Sequence, residues 1–147
     1  MNYFVTGATG FIGRFLVGRL LKREDSRVFA LVRSGSEYKL DALRRRLGVD
    51  ADRLVAIQGD INDKLLGVSK RDQDDLTGQV DHFFHLAAIY DLTADENTQR
   101  YTNIEGTRQT LKLAEKLQAR CFHHVSSIAA AGLYNGTFTE DMFEEAT

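Results

Sequence analysis

Proline is absent from this chain of 147 residues, although an average usage of ~5% would supply about seven. No proline-rich linker therefore marks a domain boundary. Cys121 is the only cysteine, which excludes an internal disulfide framework and favours a reducing compartment, so we expect a cytoplasmic protein. No apolar run approaches the ~20 residues of a membrane span, and no basic segment precedes the apolar stretch at Tyr3, so neither an integral membrane segment nor a secretory leader is predicted.

An excess of basic residues is also lacking. Lys and Arg number 19 against 21 Asp and Glu, which gives a formal net charge of −2 and argues against a nucleic-acid partner. Hydrophobic residues make up 43% of the chain, enough for a packed core. We therefore predict one domain over residues 1–147.

Short apolar runs alternate with segments of helical periodicity. The predicted strands are Tyr3–Val5, Val28–Val32, Leu54–Ile57, His82–Leu86 and Phe122–Val125. The predicted helices are Phe11–Arg23, Glu37–Leu47 and Thr98–Leu117, and the polar residues 62–77 are predicted as a loop with a short helix. This alternation predicts βαβ units with right-handed crossovers. We expect an α/β fold, a doubly wound Rossmann parallel sheet in the order 3-2-1-4-5.

A glycine-rich turn joins the first strand to the first helix. Gly7 allows a tight turn, Gly10 allows the backbone to approach a phosphate, and Gly13 lets the helix pack on the strand. The amide groups and dipole of the helix start would then hold a pyrophosphate. The alternative is a purely structural turn. The predicted cofactor contacts here are Gly7, Thr9, Gly10, Phe11, Ile12 and Gly13.

Arg33 lies twenty positions beyond Gly13, at the carboxyl end of the second strand. Sites for NAD usually carry an acidic residue near this place, which binds the ribose 2′-hydroxyl. A guanidinium group instead suits a 2′-phosphate. The predicted cofactor is therefore NADP(H), the alternative being a solvated arginine at a strand end.

At this point the chain resembles the extended short-chain dehydrogenases/reductases. The segments that carry this resemblance are residues 6–13 (TGATGFIG), 59–61 (GDI), 85–88 (HLAA), 102–107 (TNIEGT) and 125–128 (VSSI). Residues 82–91 (HFFHLAAIYD), 122–132 (FHHVSSIAAAG) and 140–146 (EDMFEEA) further resemble the N-terminal reductase domain of bacterial two-domain fatty acyl-CoA reductases. That resemblance implies an oxidoreductase that uses NADPH to reduce a fatty acyl-CoA thioester to an aldehyde or alcohol.

The resemblance also implies roles for individual residues. Asp60 and Ile61 should lie by the adenine, and Asn103 should help to organise the site. Ser127 is the expected catalytic serine because the family usually places it five residues before a glycine, here Gly132. It would bind the carbonyl oxygen and stabilise the developing charge. The remaining expected cofactor contacts are Leu86, Ala87, Ala88 and Ser126.

The chain departs from the family pattern after Ser127. The family's Tyr-x-x-x-Lys motif is missing, since Tyr134 is followed four positions later by Phe138. We therefore expect an N-terminal part of a longer protein, truncated after the fifth strand, that binds cofactor without turnover. Its fifth strand would be an unprotected edge that favours self-association. The alternatives are a sugar-nucleotide epimerase or dehydratase of the same superfamily, and a non-catalytic NADP-binding sensor.

The four histidines lie on two predicted strands. His82 and His85 are three positions apart and His123 and His124 are adjacent, so the members of each pair face opposite sides of the sheet. With one cysteine, Cys121, available, we expect no metal site.

Overall fold

The computed structural model describes residues 1–87 and 95–145, which form one parallel sheet with helices on both faces. The strands are β1 (Asn2–Thr6), β2 (Arg27–Val32), β3 (Leu54–Gln58), β4 (His82–His85) and β5 (Cys121–His124). Their order is β3-β2-β1-β4-β5 and every pairing is parallel. The predicted doubly wound Rossmann sheet is therefore confirmed.

Helices connect successive strands. They are α1 (Phe11–Leu20), α2 (Glu37–Leu47), α3 (Lys70–Leu76) and α4 (Glu96–Lys116). Short 3₁₀ helices occupy Lys64–Gly67 and Ile128–Ala131. The segment expected to be a loop with a short helix contains α3 and the first of these 3₁₀ helices. In the part of the chain that the structure describes, no helix is long and apolar enough to cross a membrane.

Each face of the sheet has its own core, because side chains alternate along every strand. On one face, Val5 and Val28 pack with Val17 of α1 and Leu40 of α2. The core of the opposite face contains side chains from the central strands together with α3 and α4: Phe4, Phe29, Phe83, Leu76, Leu113 and Leu117. Burial on both faces explains why the strands are continuously apolar rather than alternating.

The first helix ends three residues earlier than its apolar periodicity predicts. It stops at Leu20 rather than Arg23. The Ser26 hydroxyl donates to the carbonyl oxygens of Leu20 and Arg23, and the Arg53 guanidinium donates to those of Leu21 and Arg23. These side-chain donors satisfy the backbone carbonyls at the C-terminal end of the helix, so the helix can end at Leu20.

The fourth helix begins two residues earlier than predicted. Asp95 is its N-cap, and its carboxylate accepts a hydrogen bond from the Thr98 amide at 3.0 Å. Glu96 and Asn97 have polar side chains, so the apolar pattern did not predict them as helical. The N-cap stabilises a helix that begins at Glu96.

The fifth strand forms one edge of the sheet within the described residues. Its burial pattern is looser than that of the central strands, with Cys121 and His124 exposed. Self-association through this edge stays a prediction.

Candidate functional site

A cavity of about 650 Å³ opens at the carboxyl ends of the strands, where a doubly wound sheet binds its ligands. Its volume is within the range of small-molecule sites. It is lined by Gly7, Ala8, Thr9, Gly10, Phe11, Ile12, Gly13, Leu31, Val32, Arg33, Ser36, Lys39, Ile61, Asn62, Leu86, Ala87, Thr102, Val125, Ser126 and Ser127. Most of the predicted site residues thus come together around one space.

The glycine turn leaves no room for side chains on its inner side. Gly7 has φ +73°, and a Cβ there would lie 2.9 Å from the Ala87 amide nitrogen. A Cβ on Gly13 would lie 1.9 Å from the Gly7 carbonyl oxygen, which no packed structure accommodates. The two glycines therefore allow α1, β1 and the end of β4 to pack closely. The open backbone that results fits the pyrophosphate of a dinucleotide.

The start of α1 is suited to an anion. Gly10 is its N-cap and has no side chain that could cover the amides of the first turn. Arg14 N donates to Gly10 O, so the amides of Phe11, Ile12 and Gly13 precede the first intrahelical bond. The first turn holds no carboxylate, and the positive end of the helix dipole faces the cavity.

A buried hydrogen-bond network connects the glycine turn to β4 and α4. Thr6 Oγ1 accepts hydrogen bonds from the Leu86 and Ala87 amides, both at 3.2 Å. Its own proton therefore points to His85 Nδ1, which lies 2.7 Å away. His85 Nε2 then carries the other hydrogen and donates to Thr107 Oγ1 at 3.3 Å. This network fixes the backbone of Leu86 and Ala87 against the cavity.

His85 is kept neutral by its surroundings. Its side chain is 2% exposed, and burial, with a smaller contribution from the nearby His124, lowers its pKa from 6.5 to about 4. A second proton would have to enter on Nδ1, where the Thr6 hydroxyl already donates. Burial and the hydrogen bond from Thr6 therefore keep the imidazole of His85 neutral in the folded state.

This lowered pKa predicts that the fold loses stability in mild acid. The unfolded state takes up a proton near pH 6.5, whereas the folded state does so only near pH 4. The contribution is therefore complete above pH 6.5 and falls as the pH drops. Between pH 7 and pH 5 we expect His85 to account for a loss of about 2 kcal/mol.

Urea unfolding of the wild type and of His85→Gln at both pH values measures this loss. The stability difference between the two proteins should shrink by the stated amount at pH 5. His124→Gln is the comparison, since it removes only the smaller contribution to the lowered pKa of His85 and should retain most of the pH dependence. An unchanged pH dependence in His85→Gln would contradict the assignment.

Two cationic side chains line the cavity beside the end of β2. Arg33 and Lys39 are both exposed, with the half-buried Ser36 between them. The acid of this turn, Glu37, instead accepts a hydrogen bond from Gln58 Nε2 at 2.7 Å. Its backbone hydrogen bonds and the bond from Gln58 lower the pKa of Glu37, so the carboxylate is ionised and bound to β3.

Ser126 and Ser127 both lie beyond the last residue of β5 and both line the cavity. Successive side chains point to opposite faces of the sheet only within a strand, so this rule does not place Ser126 and Ser127 on opposite sides. Ser127 precedes the second 3₁₀ helix, and its hydroxyl oxygen accepts a hydrogen bond from the Ala129 amide at 3.2 Å. Because this bond uses an oxygen lone pair, the hydroxyl proton can still be donated to another group.

Two of the predicted residues do not line the cavity. Asp60 lies just outside the cavity lining, and its carboxylate accepts from the Asn62 amide at 2.9 Å, which shapes the loop that carries Ile61. Asn103 is on α4, and its carbonyl oxygen accepts a hydrogen bond from Thr107 Oγ1. Ala88 lies outside the described residues.

Eight lining residues were not predicted as site residues: Ala8, Leu31, Val32, Ser36, Lys39, Asn62, Thr102 and Val125. Thr102 Oγ1 donates to Asn62 Oδ1 at 3.0 Å, which joins α4 to the loop after β3. Thr102 is the first residue of the motif segment 102–107, so the sequence contained a signal that could have predicted it as a site residue. Asn62 and Lys39 belong to polar segments with no such pattern.

The model of the family described as Male sterility protein matches residues 5–147 of this chain. The chain belongs to this family. It has the NAD(P)-binding fold of the extended short-chain dehydrogenases/reductases, which confirms the resemblance seen in the sequence.

Curated relatives of this family member include reductases of two kinds. It is 32% identical over 145 residues to fatty acyl-CoA reductase 1 of Xenopus laevis, covering 88% of the chain and 28% of the relative. It is 36% identical over 137 residues to the L-2-aminoadipate reductase large subunit of Penicillium chrysogenum, covering 86% of the chain and 10% of the relative. The chain thus spans less than a third of either relative.

Solved structures give the same fold. The terminal R domain from the myxalamid PKS-NRPS biosynthetic pathway matches with a TM-score of 0.76 and 31% identity, over 92% of this chain and 37% of that one. Gre2 of Candida albicans in complex with NADPH matches with a TM-score of 0.72 and 25% identity, over 90% and 38%. UDP-glucuronic acid 4-epimerase of Bacillus cereus in complex with NAD gives 0.71 and 28%, over 97% and 45%.

Proposed function

We propose that this chain is the cofactor-binding part of an NADPH-dependent reductase that acts on fatty acyl-CoA thioesters. The observation that carries the proposal is the cavity itself, where the amide groups at the start of α1 lie between two serines and a pair of cationic side chains. An NADPH molecule placed across it would bind the amides through its pyrophosphate and the cations through its 2′-phosphate.

Arg33 and Lys39 favour NADPH over NADH. They supply two positive charges on one side of the cavity, and Ser36 adds a hydroxyl donor. The ionised Glu37 is not among the residues that line the cavity, and its carboxylate is hydrogen-bonded to Gln58. The net local charge therefore suits a phosphate better than a ribose hydroxyl.

Arg33→Asp is expected to weaken NADPH binding by about 10- to 100-fold, the loss of one charge-assisted hydrogen bond of about 1.5–3 kcal/mol. NADH binding should change by less than about threefold. Isothermal titration calorimetry with both cofactors measures the change. The preference should also weaken as salt is raised, because both cations are exposed.

Arg46→Asp is the matched control, since it makes the same charge change on an exposed residue of α2 outside the cavity lining. It should leave both affinities unchanged within about threefold. Equal losses of NADPH and NADH binding in Arg33→Asp would refute the assignment of Arg33.

The bound cofactor would supply the hydride. The chain's own contribution is to orient the nicotinamide and the reacting carbonyl. Leu86 and Ala87 present their backbone to the cavity through the Thr6 and His85 network. Ser127 would donate a hydrogen bond from its hydroxyl group to the carbonyl oxygen, where negative charge develops as hydride arrives.

The choice of a fatty acyl-CoA substrate rests on the likeness to fatty acyl-CoA reductases and on the motifs around β4 and β5. The full-length protein that contains this chain should oxidise NADPH when long-chain acyl-CoA is added, with formation of aldehyde or alcohol. A free fatty acid and a UDP-sugar are the controls. Absence of acyl-CoA-dependent oxidation would reject this substrate class.

A sugar-nucleotide epimerase or dehydratase is the second candidate, favoured by the similarity to UDP-glucuronic acid 4-epimerase. Such an enzyme would convert a UDP-sugar without net consumption of cofactor. Conversion of UDP-glucuronate by the full-length protein would support it. A protein that binds NADPH but acts on neither substrate would instead fit a non-catalytic sensor.

A further inference from the structure

Three side chains of metal-ligand type meet at the amino ends of β4 and β5. The parallel register pairs His82 with Cys121, and His123 lies two residues further along on the same face. One donor atom from each residue lies within 4.8 Å of the other two. His82 Nδ1 and His123 Nε2 are 3.0 Å apart.

Neighbours along a single strand do not predict this cluster. His82 and His85 do face opposite sides of the sheet, since His85 contacts Thr107 on α4 while His82 stacks against Tyr3. The cluster forms across strands, and only the register of β4 against β5 brings its members together.

Aromatic rings hold both imidazoles in place. The His123 ring stacks on Phe84 with centroids 4.4 Å apart, and the His82 ring lies 5.8 Å from that of Tyr3. The planes of the two imidazoles are inclined by only 24°, with centroids 5.2 Å apart. The half-buried histidines are thus positioned before any ion arrives, while the exposed Cys121 leaves a path from solvent.

We propose that His82, Cys121 and His123 form a Zn²⁺ site, with water completing the coordination. Two imidazole nitrogens and one thiolate are a donor set that zinc prefers. Tetrahedral zinc with bonds of about 2.0–2.1 Å to nitrogen and 2.3 Å to sulfur separates its ligand atoms by about 3.3–3.6 Å. The present spacings of 3.0 Å and up to 4.8 Å bracket those values, so small side-chain rotations suffice.

Zinc binding replaces an S–H bond and a hydrogen bond between side chains with bonds to the ion. The Cys121 thiol releases its proton to solvent and its sulfur binds the ion as a thiolate, while the hydrogen bond between the two imidazoles breaks. One nitrogen of each neutral imidazole supplies a lone pair, and no redox change occurs.

The site lies away from the cofactor cavity. His82 and Cys121 begin their strands, whereas Leu86 and Val125 lie four residues further along at the cavity end. At ~3.3 Å per residue these two ligands lie about 13 Å from the cavity end, and His123, two residues before Val125, lies about 7 Å from it. An ion there would join β4 to the edge strand β5 without competing with the cofactor, and so stabilise the folded state by mass action.

Titration of the metal-free, reduced full-length protein with Co²⁺, a spectroscopic substitute for Zn²⁺, tests the site. The wild type should develop a thiolate-to-cobalt charge-transfer band in the near ultraviolet, which zinc then removes. Cys121→Ser should abolish this band, and His123→Ala should weaken Zn²⁺ binding at least about tenfold. Zinc should also raise the melting temperature of the wild type.

His124→Ala is the matched control, because His124 is adjacent to His123 but faces the other side of the sheet, against His85. It should keep both the band and the affinity. Melting curves without metal separate misfolded variants from variants that have lost a ligand. A wild type without the band, or a folded Cys121→Ser that keeps it, would overturn the proposal.

Discussion

Gly13→Ala is expected to destabilise the fold by at least about 3 kcal/mol and to weaken NADPH binding at least about tenfold. The added Cβ would lie 1.9 Å from the Gly7 carbonyl oxygen and 2.8 Å from the Gly7 carbonyl carbon. Both contacts are to backbone, so the start of α1 has to move away from β1. Urea unfolding and cofactor titration measure the two effects.

Gly18→Ala provides the comparison within the same helix. A Cβ at Gly18 would lie 3.3 Å from Leu47 Cδ2, the far end of a movable side chain. Alanine also gains about 0.5–1 kcal/mol over glycine inside a helix. The variant should therefore unfold within about 1 kcal/mol of the wild type and bind NADPH normally. Equal behaviour of the two variants would contradict the close packing at Gly13.

Ser127→Ala should lower the kcat of the proposed full-length reductase by about 10²- to 10³-fold, the usual cost of removing one donor to a developing oxyanion. Steady-state NADPH oxidation with long-chain acyl-CoA measures this effect. The variant loses the bond from Ala129 N to Ser127 Oγ, so a stability loss of about 1 kcal/mol is expected as well. NADPH affinity should remain within about threefold of the wild-type value.

Ser126→Ala separates the roles of the two serines, since both line the cavity. It should retain kcat within about threefold. A larger loss in Ser126→Ala than in Ser127→Ala would transfer the role to Ser126. Normal turnover in both variants would remove serine from the proposed chemistry.

Local patterns predicted the framework well. The apolar spacing of Leu40, Leu43 and Leu47 predicted α2 with its observed bounds, Glu37–Leu47, because one stripe of that helix is buried and the rest is polar. The position of the glycine turn between a strand and a helix predicted where a cavity would open. The strand order followed because right-handed crossovers leave few topologies.

Contacts between distant segments limited the remaining predictions. Helix α1 ends where the side chains of Ser26 and Arg53 donate hydrogen bonds to the backbone carbonyls of residues 20–23. Arg53 is more than thirty residues away from the end of this helix. Asn62 joins the cavity through Thr102 on α4, forty residues further along. No window of sequence contains both partners of such pairs.

The sequence by itself determined the sheet, its order, the glycine turn and the cationic residue Arg33 beside it, because these depend on periodicity, backbone freedom and near neighbours. The tertiary structure decided that Lys39 joins Arg33 in the cavity, that Glu37 is bound to Gln58, and that His85 is neutral. It also decided the meeting of His82 with Cys121 and His123. Each of these depends on the distance between residues of different elements, which strand register and packing fix and local composition does not.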